Sequence, residues 1–172
     1  MKKSRILLAL AIFAGCLNVT AQTVERTFYV DFGQNNVANQ GYKTIGADAN
    51  GHYWNNIFGK GTGAPDKAYP QTISLVTSNN AATDCKLQLS TRFSTNGYTN
   101  GGLQNPSKSL LGDLAIESAT QDYIFLEGGQ DYGVIHLKGL DLSKGYRFYL
   151  FGSRTATDTR AAWFDLTGEN CW

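Results

Sequence analysis

Two short stretches of this 172-residue chain carry side chains suited to holding a polar ligand. The first is His52-Tyr53-Trp54-Asn55-Asn56-Ile57, in a long connection after the first strand-like segment. An aromatic ring has an apolar face and a polar tip, so Trp54 can stack on a sugar while Asn55 and Asn56 take its hydroxyls. A competing reading makes Trp54 the plug of a sandwich core and gives the two Asn side chains to turns. The second stretch is Ser153-Arg154-Thr155-Ala156-Thr157-Asp158-Thr159-Arg160. Arginine forks bind carboxylates bidentately and suit vicinal hydroxyls. Pairing of Arg154 or Arg160 with Asp158 or Asp165 explains the same residues. A third polar loop runs from Ser94 to Gly102 and carries Tyr98. The ligand-binding candidates are therefore Trp54, Asn55, Asn56, Tyr98, Arg154 and Arg160.

Other motifs lack the partners their chemistry needs. Asp31-Phe32-Gly33 spells the kinase metal triplet, but no glycine-rich phosphate loop or His-Arg-Asp loop accompanies it. It reads as the end of the first strand and its turn. Gly112-Asp113-Leu114 is like the start of an SGNH esterase with Leu in place of the nucleophile. His52 and His136 are the only two histidines, and no Gly-x-Ser-x-Gly elbow occurs, so no nucleophile and base can be paired. Asp48-Ala49-Asn50-Gly51 puts two oxygen donors on a tight turn. It therefore offers Asp48 and Asn50 as ligands for a structural calcium ion, against the simpler reading of an Asx turn. No other cofactor is implied.

The elements that must position these residues begin after an export segment. Lys2, Lys3 and Arg5 precede an apolar run over 6–19, and Val19-Thr20-Ala21 forms a small-x-small cleavage site. The run is short of the roughly 20 residues of a spanning helix. This predicts a signal peptide over 1–21 and a secreted or periplasmic chain over 22–172. A lipoprotein anchored at Cys16 is the rival reading, with Phe13 where a lipobox has Leu or Val. Without Lys2, Lys3 and Arg5 the mature chain has 12 Lys and Arg against 14 Asp and Glu. That balance offers no footprint for nucleic acid or an anionic membrane. Cys85 and Cys171 would remain as the one pair able to bridge.

Plentiful glycine (19 residues) and 12% aromatics, with turn clusters at short intervals, point to β structure. Strands are expected at 27–32, 72–77, 86–93, 122–126, 133–137, 146–151 and 162–166. In 86–93, Leu87, Leu89 and Thr91 share one face. The stretch 146–151 is apolar on both faces, as in a central strand covered on both sides. Only 108–119 can hold a helix, and Gly112 interrupts it. Short strands without βαβ alternation predict one all-β domain, an antiparallel sandwich.

Several markers also fall in a familiar order. They are Asp31-Phe32-Gly33, Tyr53-Trp54-Asn55-Asn56, the stretch 112–123 ending in Ala119-Thr120-Gln121-Asp122-Tyr123, Gly139-Leu140-Asp141, Tyr146-Arg147-Phe148 and Phe151-Gly152-Ser153-Arg154. Together they resemble the N-terminal galactose-binding-like β-sandwich modules of secreted proteins from polysaccharide-degrading Gram-negative bacteria. The resemblance covers nearly all of 22–172. It implies a jelly-roll or galactose-binding-like fold and, as partner, a carbohydrate or a neighbouring catalytic domain. That domain is frequently an SGNH-type esterase or a glycoside hydrolase. Gly168-Glu169-Asn170-Cys171-Trp172 reads as a strand cut in passage, so the chain is expected to be the front of a longer protein.

Overall fold

The computed structural model describes residues 26–33, 43–59, 70–126, 130–159 and 161–168. The expected signal peptide over 1–21, with Cys16, and Arg160, Cys171 and the final residues 169–172 lie outside them. The chain is β-rich. Its strands are β1 (Tyr29–Gly33), β2 (Trp54–Phe58), β3 (Gln71–Val76), β4 (Ala82–Leu89), β5 (Ser94–Asn96), β6 (Tyr123–Phe125) and β7 (Ile135–Lys138). They form three small sheets ordered β1-β2, β3-β4-β7 and β5-β6. All pairs are antiparallel except β1 with β2, which run parallel with Asp31 opposite Asn56.

The period-2 pattern of β4 explains the central sheet. Cys85, Leu87 and Leu89 are buried while Asp84 and Lys86 are exposed, so one face meets the core. There they join Ile57, Leu75 and Phe93, with Val30, Phe32, Ile73 and Ile124 packed against them. The strand runs over Ala82–Leu89 rather than 86–93, because the turn before it sits earlier. Asn80 there adopts φ +64° and donates its N–H to the carbonyl of Thr77. Asn tolerates that left-handed conformation better than most residues. Cys85 holds a free thiol, which donates to the carbonyl of Gly139 at 3.3 Å.

Asn55 joins two sheets. Its Nδ2 donates to the carbonyls of Tyr29 (3.0 Å) and Val76 (2.8 Å), and its Oδ1 accepts the Val76 N–H (2.8 Å). One carboxamide thus stands in for a missing rung between the β1-β2 pair and β3.

Three expectations need correction. The stretch 54–58 is a strand rather than part of a long connection. The stretches 146–151 and 162–166 are not strands. Tyr149 is 72% exposed and Trp163 91%. Apolar character on both faces says what a segment would bury if covered. A strand also needs a ladder partner, and none of the three described sheets supplies one. The helical stretch divides into single turns, α1 (Lys108–Leu111) and α2 (Glu117–Thr120), with Gly112 at φ +55° between them. Among the described residues no helix is long and apolar enough to cross a membrane.

Candidate functional site

The loop after β5, which carries Tyr98, meets the segment of Arg154 and Thr155. Gly97 accepts N–H bonds from Asn100 (2.8 Å) and Gly102 (3.2 Å), closing a 3₁₀ turn over Tyr98–Asn100. Gly101 then adopts φ +92°, and a Cβ there would lie 2.2 Å from the carbonyl oxygen of Thr155. Only glycine combines that left-handed backbone with so close an approach. The contact is sealed by Thr155 N–H donating to the Gly101 carbonyl at 2.8 Å. On the other flank, Leu103 N–H donates to the carbonyl of Thr120, whose hydroxyl donates back to the Leu103 carbonyl, both at 2.9 Å. The loop is therefore pinned to two distant parts of the chain.

Arg154 sits on this framework. Its Nε donates to the carbonyl of Asn100 at 3.1 Å, and its guanidinium carbon lies 5.8 Å from the centroid of the Tyr123 ring. The Tyr123 hydroxyl donates to the same carbonyl at 2.9 Å, and Phe125 continues the aromatic edge 6.1 Å away. Neither Arg154 partner is a carboxylate, so an internal ion pair does not account for its position. With Nε turned inward, the two terminal nitrogens have no hydrogen-bond partner among the described residues. That edge is the one a guanidinium offers to a carboxylate or a diol. Tyr98 is half-buried in the same loop.

The other predicted residues go elsewhere. Trp54 is 8% exposed, and its Nε1 donates to Asp48 Oδ2 at 2.8 Å. Tyr29 covers it at 4.9 Å between ring centroids and stacks on His52 at 4.8 Å. Trp54 is a wall of the fold and presents no open face for a sugar. Asp48 Oδ1 takes the N–H groups of Asn50 (2.8 Å) and His52 (2.9 Å). Burial pushes the Asp48 carboxyl up, but the hydrogen bonds from Trp54, His52 and Asn50, with the nearby His52 charge, outweigh it and hold the carboxyl below its ordinary range. Asn50 Oδ1 accepts from Lys108 Nζ at 3.0 Å. The oxygens a calcium ion would use at this turn already face N–H donors, which is the Asx-turn reading. Among the described residues no group of three His, Cys, Asp or Glu side chains is placed to hold a metal.

A second polar cluster was not anticipated. Asp31, 2% exposed, accepts the Thr44 N–H and hydroxyl on Oδ2, both at 3.0 Å. The Thr44 hydroxyl lies 2.7 Å from Ser118 Oγ, and Asn56 Nδ2 donates to the Thr44 carbonyl at 2.8 Å. Burial drives the Asp31 pKa up to about 6 against the lowering effect of the Thr44 hydrogen bonds. Thr44 also lies between two shallow grooves, one of about 470 Å³ bordered by Ile116 and Ser118 and one of about 420 Å³ bordered by Tyr53 and Asn56. The one signal in the sequence was a carboxylate inside Tyr29-Val30-Asp31-Phe32, where a strand has little reason to hold a charge.

Comparison with protein-family models, with curated proteins and with solved structures returns no match to this chain.

Proposed function

We propose that this chain is a secreted, non-catalytic module of galactose-binding-like sandwich type that binds carbohydrate through the loop pair 97–102 and 153–155. It would thereby position a polysaccharide for an attached enzyme. The observation that carries this reading is Arg154: an aromatic face and a backbone carbonyl orient its guanidinium while its terminal edge has no hydrogen-bond partner among the described residues. Tyr123 supplies a ring beside the guanidinium, and Tyr98 lies in the same loop as Asn100. The order of sequence markers shared with modules of polysaccharide-degrading proteins supports the same assignment, as an argument from likeness. Affinity electrophoresis of the full chain on neutral and uronate-rich polysaccharides tests it. Retardation by at least one glycan, lost in Arg154→Ala with folding intact, is expected; no retardation on either class would overturn the proposal.

A second reading places the activity in a neighbouring SGNH-type esterase or glycoside hydrolase domain and makes this module structural. The exposed aromatic run Tyr146-Arg147-Phe148-Tyr149-Leu150-Phe151 and the 91% exposed Trp163 favour it, since such surfaces are usually covered by protein. Under that reading Arg154→Ala changes no glycan affinity, while charged substitutions at Tyr149 or Trp163 separate the two domains.

A further inference from the structure

Arg154 carries its charge without an acidic neighbour. Among the described residues it makes no ion pair, and its hydrogen bond runs from Nε to the carbonyl of Asn100 at 3.1 Å. It is half-buried, with its guanidinium carbon over the Tyr123 ring, 5.8 Å from the centroid. Ring and carbonyl together set the plane of the fork and leave Nη1 and Nη2 as its outward edge. That edge has N–H donors and no acceptor.

The backbone oxygens that frame the edge are already engaged. The Asn100 carbonyl accepts from Arg154 Nε and from the Tyr123 hydroxyl, and the Gly97 carbonyl accepts the N–H groups of Asn100 and Gly102, which fills both lone pairs of each. The carbonyls of Tyr98 and Gly101 accept the N–H groups of Gly101 (3.3 Å) and Thr155 (2.8 Å). A neutral sugar hydroxyl brings a proton that needs an acceptor, and these carbonyls offer it little. An acidic group brings only acceptors. Net charge supplies no alternative source of attraction: 15 Lys and Arg stand against 14 Asp and Glu, so no broad positive field gathers polyanions.

Resting on the reading of Arg154 as the glycan contact, we infer that the ligand of this site is an acidic polysaccharide, one anionic group of which receives Nη1 and Nη2 on two of its oxygens. The guanidinium fork matches such an oxygen pair, and charge-assisted bonds of this kind are roughly twice as strong as neutral ones. The anion also gives a half-buried cation the partner that a neutral diol would not. The fork is set before the ligand arrives, because Nε is tied to Asn100 and the next residue, Thr155, is tied to Gly101. Little side-chain freedom is then lost on binding. A uronate carboxylate and a sulfate half-ester both present the required oxygens.

Isothermal titration of the full chain against polygalacturonate, its methyl-esterified form, a sulfated galactan and an unsubstituted galactan tests the inference. At least one acidic polymer should bind about ten-fold or more tighter than the esterified and unsubstituted ones, equivalent to about 1.4 kcal/mol. Which acidic polymer binds names the carboxylate or the sulfate as the group. That affinity should fall between about 20 and 500 mM NaCl, and should be lost in Arg154→Gln, whose folding a thermal melt verifies. Equal binding of the esterified or unsubstituted polymer, indifferent to salt, would overturn the acidic ligand and leave the carbohydrate reading standing. Undiminished binding of the acidic polymer by folded Arg154→Gln would overturn it too, since the acid would then be held elsewhere. Binding to none of the four would sink the carbohydrate reading itself, and this inference with it.

Discussion

Arg154 and Tyr123 face one another with the guanidinium carbon 5.8 Å from the ring centroid, and both donate to the carbonyl of Asn100. One backbone oxygen thereby sets the position of a cation and a ring that are 31 residues apart in sequence. Arg154→Lys keeps the charge but loses the planar fork and the inward Nε bond. Glycan affinity is expected to fall at least ten-fold in Arg154→Lys and beyond detection in Arg154→Ala. Isothermal titration against the best-retarded glycan measures both.

Gly101→Ala puts a methyl group 2.2 Å from the Thr155 carbonyl oxygen at φ +92°. The loop must release its contact with 154–155. Glycan affinity should fall as far as in Arg154→Ala while the melting temperature drops only a few degrees, because the loop lies outside the apolar core. Equal Tm and equal affinity to wild type would show that the loop pair does not form the site.

Trp54→Phe removes the Nε1 bond to Asp48 and leaves most of the buried ring. A loss of about 1–3 kcal/mol in urea unfolding is expected, in the range for hydrogen bonds to charged groups. Glycan affinity should be unchanged, since Trp54 is covered by Tyr29. Weaker binding with unchanged stability would return Trp54 to the ligand site.

Asn55→Ala deletes three hydrogen bonds that tie β1 and β2 to β3 and strands the N–H of Val76. Unsatisfied buried groups are expensive, so a loss of about 2–4 kcal/mol is expected. Hydrogen exchange should show it first at Val76.

Asp31 makes the stability of the protein pH-dependent. Its folded pKa of about 6 lies above the ordinary 3.8, so the folded state holds a proton that the unfolded state has released. The associated stability is complete below about pH 4 and is lost as pH rises through 6, on the order of 2–3 kcal/mol. The quantity to measure is the difference between wild type and Asp31→Asn, which isolates this one carboxyl. Asp31→Asn should gain on wild type between pH 4.5 and 7.5; a constant difference would sink the prediction.

What the sequence determined by itself was local. Alternation in Leu87 and Leu89, the β-branched and aromatic runs and the turn residues are one-strand properties, and they located β1, β3, β6 and β7 within a few residues. Gly112 broke the helix where its backbone preference said it would. Pairing is a property of two segments, and here local pattern misled: 146–151 has a strand's composition but no ladder partner among the described residues. The site divides the same way. Arg154 and Tyr98 were legible as residue types able to hold a sugar. Only the tertiary structure showed that the Asn100 carbonyl brings Arg154 to Tyr123, that Trp54 turns inward to Asp48, and that Asp31 meets Asn56 across a parallel pair. Those outcomes depend on which backbone oxygens and nitrogens end up facing a given side chain. Contacts between positions 6 to 54 residues apart decide that, and no periodicity along the chain encodes them.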